Sequence, residues 1–143
     1  MAPLPATTLV QFYPGNGRFH VDKLIDPDGA PADVLDIDLG FTVLGSVELP
    51  GWLSGKGEVR LAADEIGGQI DEIIGRVSFP IPGSNTVNDP PSMKYQWRIN
   101  VSPRALPDVS NVYRLAVVFA FQTPGGGHTD IGAFYDLGTF LVV

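Results

Sequence analysis

The stretch Met93-Lys-Tyr-Gln-Trp-Arg-Ile-Asn-Val101 alternates without a break. Met93, Tyr95, Trp97, Ile99 and Val101 fall on one side, and Lys94, Gln96, Arg98 and Asn100 on the other. An amphipathic helix repeats its apolar positions every three or four residues, so strict period two over this length predicts a strand. One face is apolar and the other wet, which is the pattern of an antiparallel sheet packed on one side.

Neighbouring segments repeat the pattern. Over 35–43, Leu35, Ile37, Leu39, Phe41 and Val43 are expected to point inward, with Asp36, Asp38, Gly40 and Thr42 outward. Over 112–121, Tyr113, Leu115, Val117, Phe119 and Phe121 fill one face. The other face of that strand carries Val112, Ala116, Val118 and Ala120, with Arg114 its only charge. A strand apolar on both sides is covered by its own domain or meets another subunit. Weaker strands are predicted at 8–13, 18–25, 46–49, 57–63, 72–79 and 134–142, and a single helical turn at Ala62–Ile66, closed by Gly67.

The 13 prolines and 17 glycines punctuate these segments and do not gather into a tract. Pro14-Gly-Asn-Gly17, Asp26-Pro-Asp-Gly29, Ser54-Gly-Lys-Gly57 and Pro124-Gly-Gly-Gly127 each supply a fixed or a positive φ for a turn. Residues 80–92 carry four prolines and are expected to form a long irregular crossover between sheets. The sequence therefore predicts one all-β domain over 1–143: a two-sheet antiparallel β-sandwich, Greek-key in connection, of about eight strands. In strand count and turn rhythm it resembles immunoglobulin-like or C2-like sandwiches. That resemblance implies architecture alone. The cysteine pair of antibody domains is missing, and the calcium loops of C2 domains are half matched.

Composition narrows the function classes. A hydrophobic share of 44% against 17% charged excludes a disordered chain. Without cysteine there are no disulfides and no thiolate metal sites. Net charge is −7, and the nine basic residues are dispersed, so no positive stripe exists to displace counterions from nucleic acid. No apolar run approaches the ~20 residues of a membrane-spanning helix. The first residues hold neither a basic nor an apolar signal region, which makes a cytoplasmic location the default expectation.

Motifs for catalysis are sparse. Gly51-Trp-Leu-Ser-Gly55 lacks nucleophile-elbow spacing, and no phosphate loop or dinucleotide fingerprint is present. His128 and Asp130 could form a base held by a carboxylate, or simply a polar hairpin tip. The expectation is a protein that is not an enzyme. The best metal candidates are Asp26, Asp28 and Asp33, where closely spaced loop carboxylates could serve calcium. The twelfth residue counted from Asp26 is Ile37, not the glutamate of an EF-hand, and an Asx-type turn explains the same residues. A carbohydrate platform would need coplanar exposed aromatics, for which Trp52, Tyr13 and Tyr135 are the candidates, Trp97 being expected in the core.

The remaining signal is assembly. Both termini are strand-like, no charged residue precedes Arg18, and residues 1–13 could be an edge strand or an arm laid on a neighbour. The expected function is a non-enzymatic structural or interaction module that forms a homo-oligomer or docks into a larger assembly. Val112, Ala116, Val118, Ala120, Phe140 and Val142 are its expected contact residues. A calcium- or carbohydrate-binding sandwich is the alternative, and a hydrolase comes third.

Overall fold

Alternation of apolar and polar residues is satisfied by nine strands: β1 (Ala6–Phe12), β2 (Gly15–Ile25), β3 (Val34–Leu35), β4 (Phe41–Pro50), β5 (Gly55–Glu65), β6 (Asp71–Ile81), β7 (Ser92–Val101), β8 (Val112–Gln122) and β9 (His128–Val142). The computed structural model describes residues 4–12, 15–25, 34–36, 38–68, 71–83, 92–106 and 111–143.

Hydrogen bonding follows the order β6-β5-β8-β9-β1-β2-β4-β7, with β3 beside β9. This path folds over into two layers, one of β1, β2, β4 and β7, the other of β6, β5, β8, β9 and β3. Between the layers the ladder thins to one pair, Gln11 with Gly132. At the opposite side β6 and β7 lie against each other without a ladder, and Phe79 stacks on Tyr95 across that seam at 6.5 Å. Strands three apart in the chain become neighbours, β4 with β7 and β5 with β8, a Greek-key crossing.

The core lies between the layers. Phe19 on β2 stacks on Trp97 of its own sheet at 5.4 Å and on Phe119 of the other sheet at 5.7 Å. All three are buried, as are Val43, Ile99, Leu115 and Val117 along the predicted inward positions. Burying one such aromatic is worth roughly 2–3 kcal/mol. At Gly75 on β6 the layers approach closely: a Cβ there would strike the Ile99 side chain of β7.

Two predicted elements form differently. The strand expected over 35–43 breaks after Leu35. Asp36 accepts the amide of Asp38 at 2.8 Å through Oδ1, and Gly40 takes φ +68°, so a turn intervenes before β4 begins at Phe41. Leu39, expected inside, is 42% exposed in that turn, and the segment 46–49 is part of the same long β4. The helical turn expected at Ala62–Ile66 is strand through Glu65. That segment is paired on both sides, by β6 and by β8, and this long-range pairing outweighs a local helical preference. Gly67, with φ +77°, serves the β5–β6 hairpin instead. Of the Asp-Glu-Ile triplets at 64–66 and 71–73, only the first residues meet, Asp64 opposite Asp71, while Glu72 and Ile73 pair with Ala63 and Ala62.

β1 sits between β2 and β9. The last residues pair with Leu35, whose carbonyl accepts the Val143 amide at 2.9 Å. From β6 to β7 the chain passes between layers, as a crossover over 80–92 requires; the strand itself continues through Ile81, and residues 84–91 lie outside the described residues.

Candidate protein-interaction face

Strand β8 is held between β5 and β9, so its outer side chains form the middle of a four-stranded surface. Two neighbouring rows cross that surface. In the first, register aligns Arg76 of β6, Arg60 of β5, Val118 of β8 and Phe134 of β9. In the second it aligns Ser78, Glu58, Ala120 and Gly132 on the same four strands. The first row is large on every strand and the second is smaller on every strand.

The apolar end of this surface is open. Phe134 is 57% exposed and Leu9 of β1 is 58% exposed, both far above what a core residue shows. They border a shallow groove of about 490 Å³ that also involves Thr8, Val118, Asp130 and Gly132. Gly132 lines the groove with backbone alone, and a Cβ there would stand 2.8 Å from the Phe119 carbonyl oxygen, too close for any side chain. At the polar end Arg60 is paired with Glu58, and Arg76 reaches the same carboxylate at 3.7 Å. Arg114 and Asp136 pair loosely above the apolar rows, at 3.9 Å.

Of the six predicted contact residues, Ala116, Val118 and Ala120 lie on this face and are partly exposed. Val112 is also exposed but is separated from them by Arg114, and it groups with Ile66 and Leu141 at the strand's end. Phe140 and Val142 correct the expectation: both are buried in the domain's own core. The cause is a β-bulge. Ala116 pairs with Asp136 and Leu115 with Gly138, leaving Leu137 as the extra residue, while Asp136 Oδ1 accepts the Gly138 amide at 2.8 Å and Gly138 adopts φ +91°. One added residue switches which parity faces out, so Phe134 points to solvent and Phe140 inward.

Sequence reasoning passed over Leu9 and Phe134. Their signal, a Gly-x-Phe spacing on β9 at 132–134, means something only once the register with Ala120 and Val118 is known.

The other predicted sites are dispersed. Asp26, Asp28 and Asp33 lie outside the described residues, as does Tyr13. Among the described residues no group of three or more His, Asp or Glu side chains is placed to hold a metal ion. Trp97 is in the core, and Trp52 and Tyr135 are half-buried against it. His128 and Asp130 are both exposed at the start of β9. On the first sheet's outer side a dent of about 300 Å³ is lined by Asp22, Ser46, Lys94, Gln96 and Arg98, a mixed-charge surface. No described helix is long and apolar enough to cross a membrane.

The fold and this surface define an all-β two-sheet sandwich with one partly apolar sheet face. No protein-family model, no curated protein and no solved structure matches the chain.

Proposed function

We propose that this protein is a non-enzymatic interaction module whose working surface is the outer face of β5, β8 and β9, extended by Leu9. The observation that carries this reading is the exposure of Phe134 and Leu9 at a groove floored by backbone at Gly132. Large apolar side chains standing together at a groove cost hydration free energy unless something covers them, and they mark protein contact surfaces. Aromatic anchors beside small-residue hollows are also the usual centres of binding energy at such contacts.

Site-specific photo-crosslinking in the native cell tests it. A crosslinking amino acid at position 134 should give a covalent protein adduct, whose mass identifies the partner class. The same group at Gln96, on the outer side of the opposite sheet, should give none. Equal yields at the two positions, or no adduct at 134, would overturn the reading.

A further inference from the structure

We propose that the dent on the outer side of the other sheet binds a small zwitterion of the amino-acid class, with an ammonium at one end and a carboxylate at the other. The site lies apart from the β5–β8–β9 face and goes beyond the interaction reading.

Register places its parts. Lys94, Gln96 and Arg98 are successive outward residues of β7, in steps of about 7 Å. Ser46 of β4 lies opposite Gln96, and Leu44 lies opposite Arg98. Asp22 is the extra residue of a bulge in β2, set between Val21, which pairs with Gly45, and Lys23, which pairs with Leu44. It therefore stands on the far side of β4 from β7, two strand spacings or about 10 Å away. All of these residues line one dent of about 300 Å³. That is the low end of the roughly 300–1,000 Å³ range of small-molecule sites, which suits a small ligand.

Ser46 marks this dent as a site. The residue is 1% exposed although it belongs to the sheet's outer side, and its Oγ has no hydrogen-bond partner among the described residues. A buried hydroxyl left unpaired costs free energy, and a ligand that accepts its proton removes that cost. The charges around it are unpaired as well. Neither Asp22 nor Lys94 has an ion pair among the described residues. Glu48 is opposite Lys94 in register, but its carboxylate is turned to His20 Nε2 at 3.5 Å. Arg98 donates its Nε to Asn100 at 3.1 Å, which leaves the two terminal nitrogens of the guanidinium.

The two signs are segregated, and that selects the ligand. Lys94 and Arg98 bracket Gln96 and the Ser46 hydroxyl, so four donor side chains are available to one carboxylate. Asp22, beyond Leu44, accepts an ammonium. Leu44 between them offers apolar contact to a short methylene chain. A simple anion is repelled by Asp22, and a simple cation by Lys94 and Arg98. A zwitterion meets both ends with opposite charge.

The test is a two-dimensional NMR titration of the folded protein with a series of unbranched amino acids, from glycine to aminohexanoate. Saturable shifts should centre on Asp22, Ser46 and Gln96. Affinity should peak at one chain length, because both ends are held at once. N-acetylation of the best member, or amidation of its carboxylate, should weaken binding by about tenfold or more. Asp22→Asn should weaken the best member to the same extent and remove the length optimum, without weakening the acetylated form. Ser46→Ala should weaken both forms, and the same spectra report whether each variant is folded. No saturable shift with any member, or shifts centred elsewhere, would overturn the site. Equal affinity for acetylated and free amines, or a folded Asp22→Asn variant that binds as before, would overturn the zwitterion as its ligand. None of these outcomes bears on crosslinking from position 134, since a small ligand beside Gln96 gives no protein adduct.

Discussion

Phe134 and Gly132 stand two residues apart on one face of β9, and they lie opposite Val118 and Ala120 of β8. The first of the pair exposes more than half of its surface, and the second has no side chain at all. A projection and a hollow are thereby fixed at one strand repeat on a rigid sheet. Close strand packing fixes the glycine, whose Cβ would stand 2.8 Å from the Phe119 carbonyl oxygen, whereas the exposed Phe134 ring lies outside the core.

That separation of roles has a measurable form. Phe134→Ala should change the unfolding free energy by less than about 0.5 kcal/mol, as exposed substitutions do. Phe119→Ala, on the buried face of β8, should cost about 3–5 kcal/mol. Urea denaturation of both variants checks the contrast. A large loss for Phe134→Ala would make that ring part of the fold.

Gly75 is predicted to be fixed by layer spacing. Gly75→Ala should destabilise by about 1–3 kcal/mol, because its methyl group meets the Ile99 side chain between the layers. Combined with Ile99→Ala, the loss should be smaller than the sum of the two single changes, since each removes the other's difficulty. Strict additivity in a double-mutant cycle would show that the two positions do not touch.

The bulge in β9 should be expensive to remove. Gly138→Ala places a side chain at φ +91° and should cost about 1–3 kcal/mol by thermal or chemical unfolding. Asp136→Ala, although at the surface, should cost about 1 kcal/mol through loss of the acceptor for the Gly138 amide. No loss in either variant would mean that the bulge does not set the parity of the strand.

Much of the fold was legible in local pattern. β7 and β8 follow from period two alone, and their inward residues from Trp97 to Phe121 are the buried ones. Pattern failed where one residue changed parity or direction. At 35–43 the alternation continues through Asp36 and Gly40 although the backbone turns there, since an Asx turn leaves the apolar spacing intact. At Leu137 the bulge exchanged the faces of β9, which sent Phe140 and Val142 inward and Phe134 outward. Both features depend on backbone geometry that residue type announces only faintly. The candidate face was half legible for a related reason. Ala116, Val118 and Ala120 follow from one strand's sequence, but their relation to Phe134, Arg60 and Glu58 exists only in the register between strands.

Crosslinking from position 134 tests the central claim most directly. The account predicts a covalent protein adduct from that position, where Phe134 is exposed, and none from Gln96 on the outer side of the opposite sheet. Equal yields at the two positions, or no adduct at 134, would contradict an interaction surface on this face.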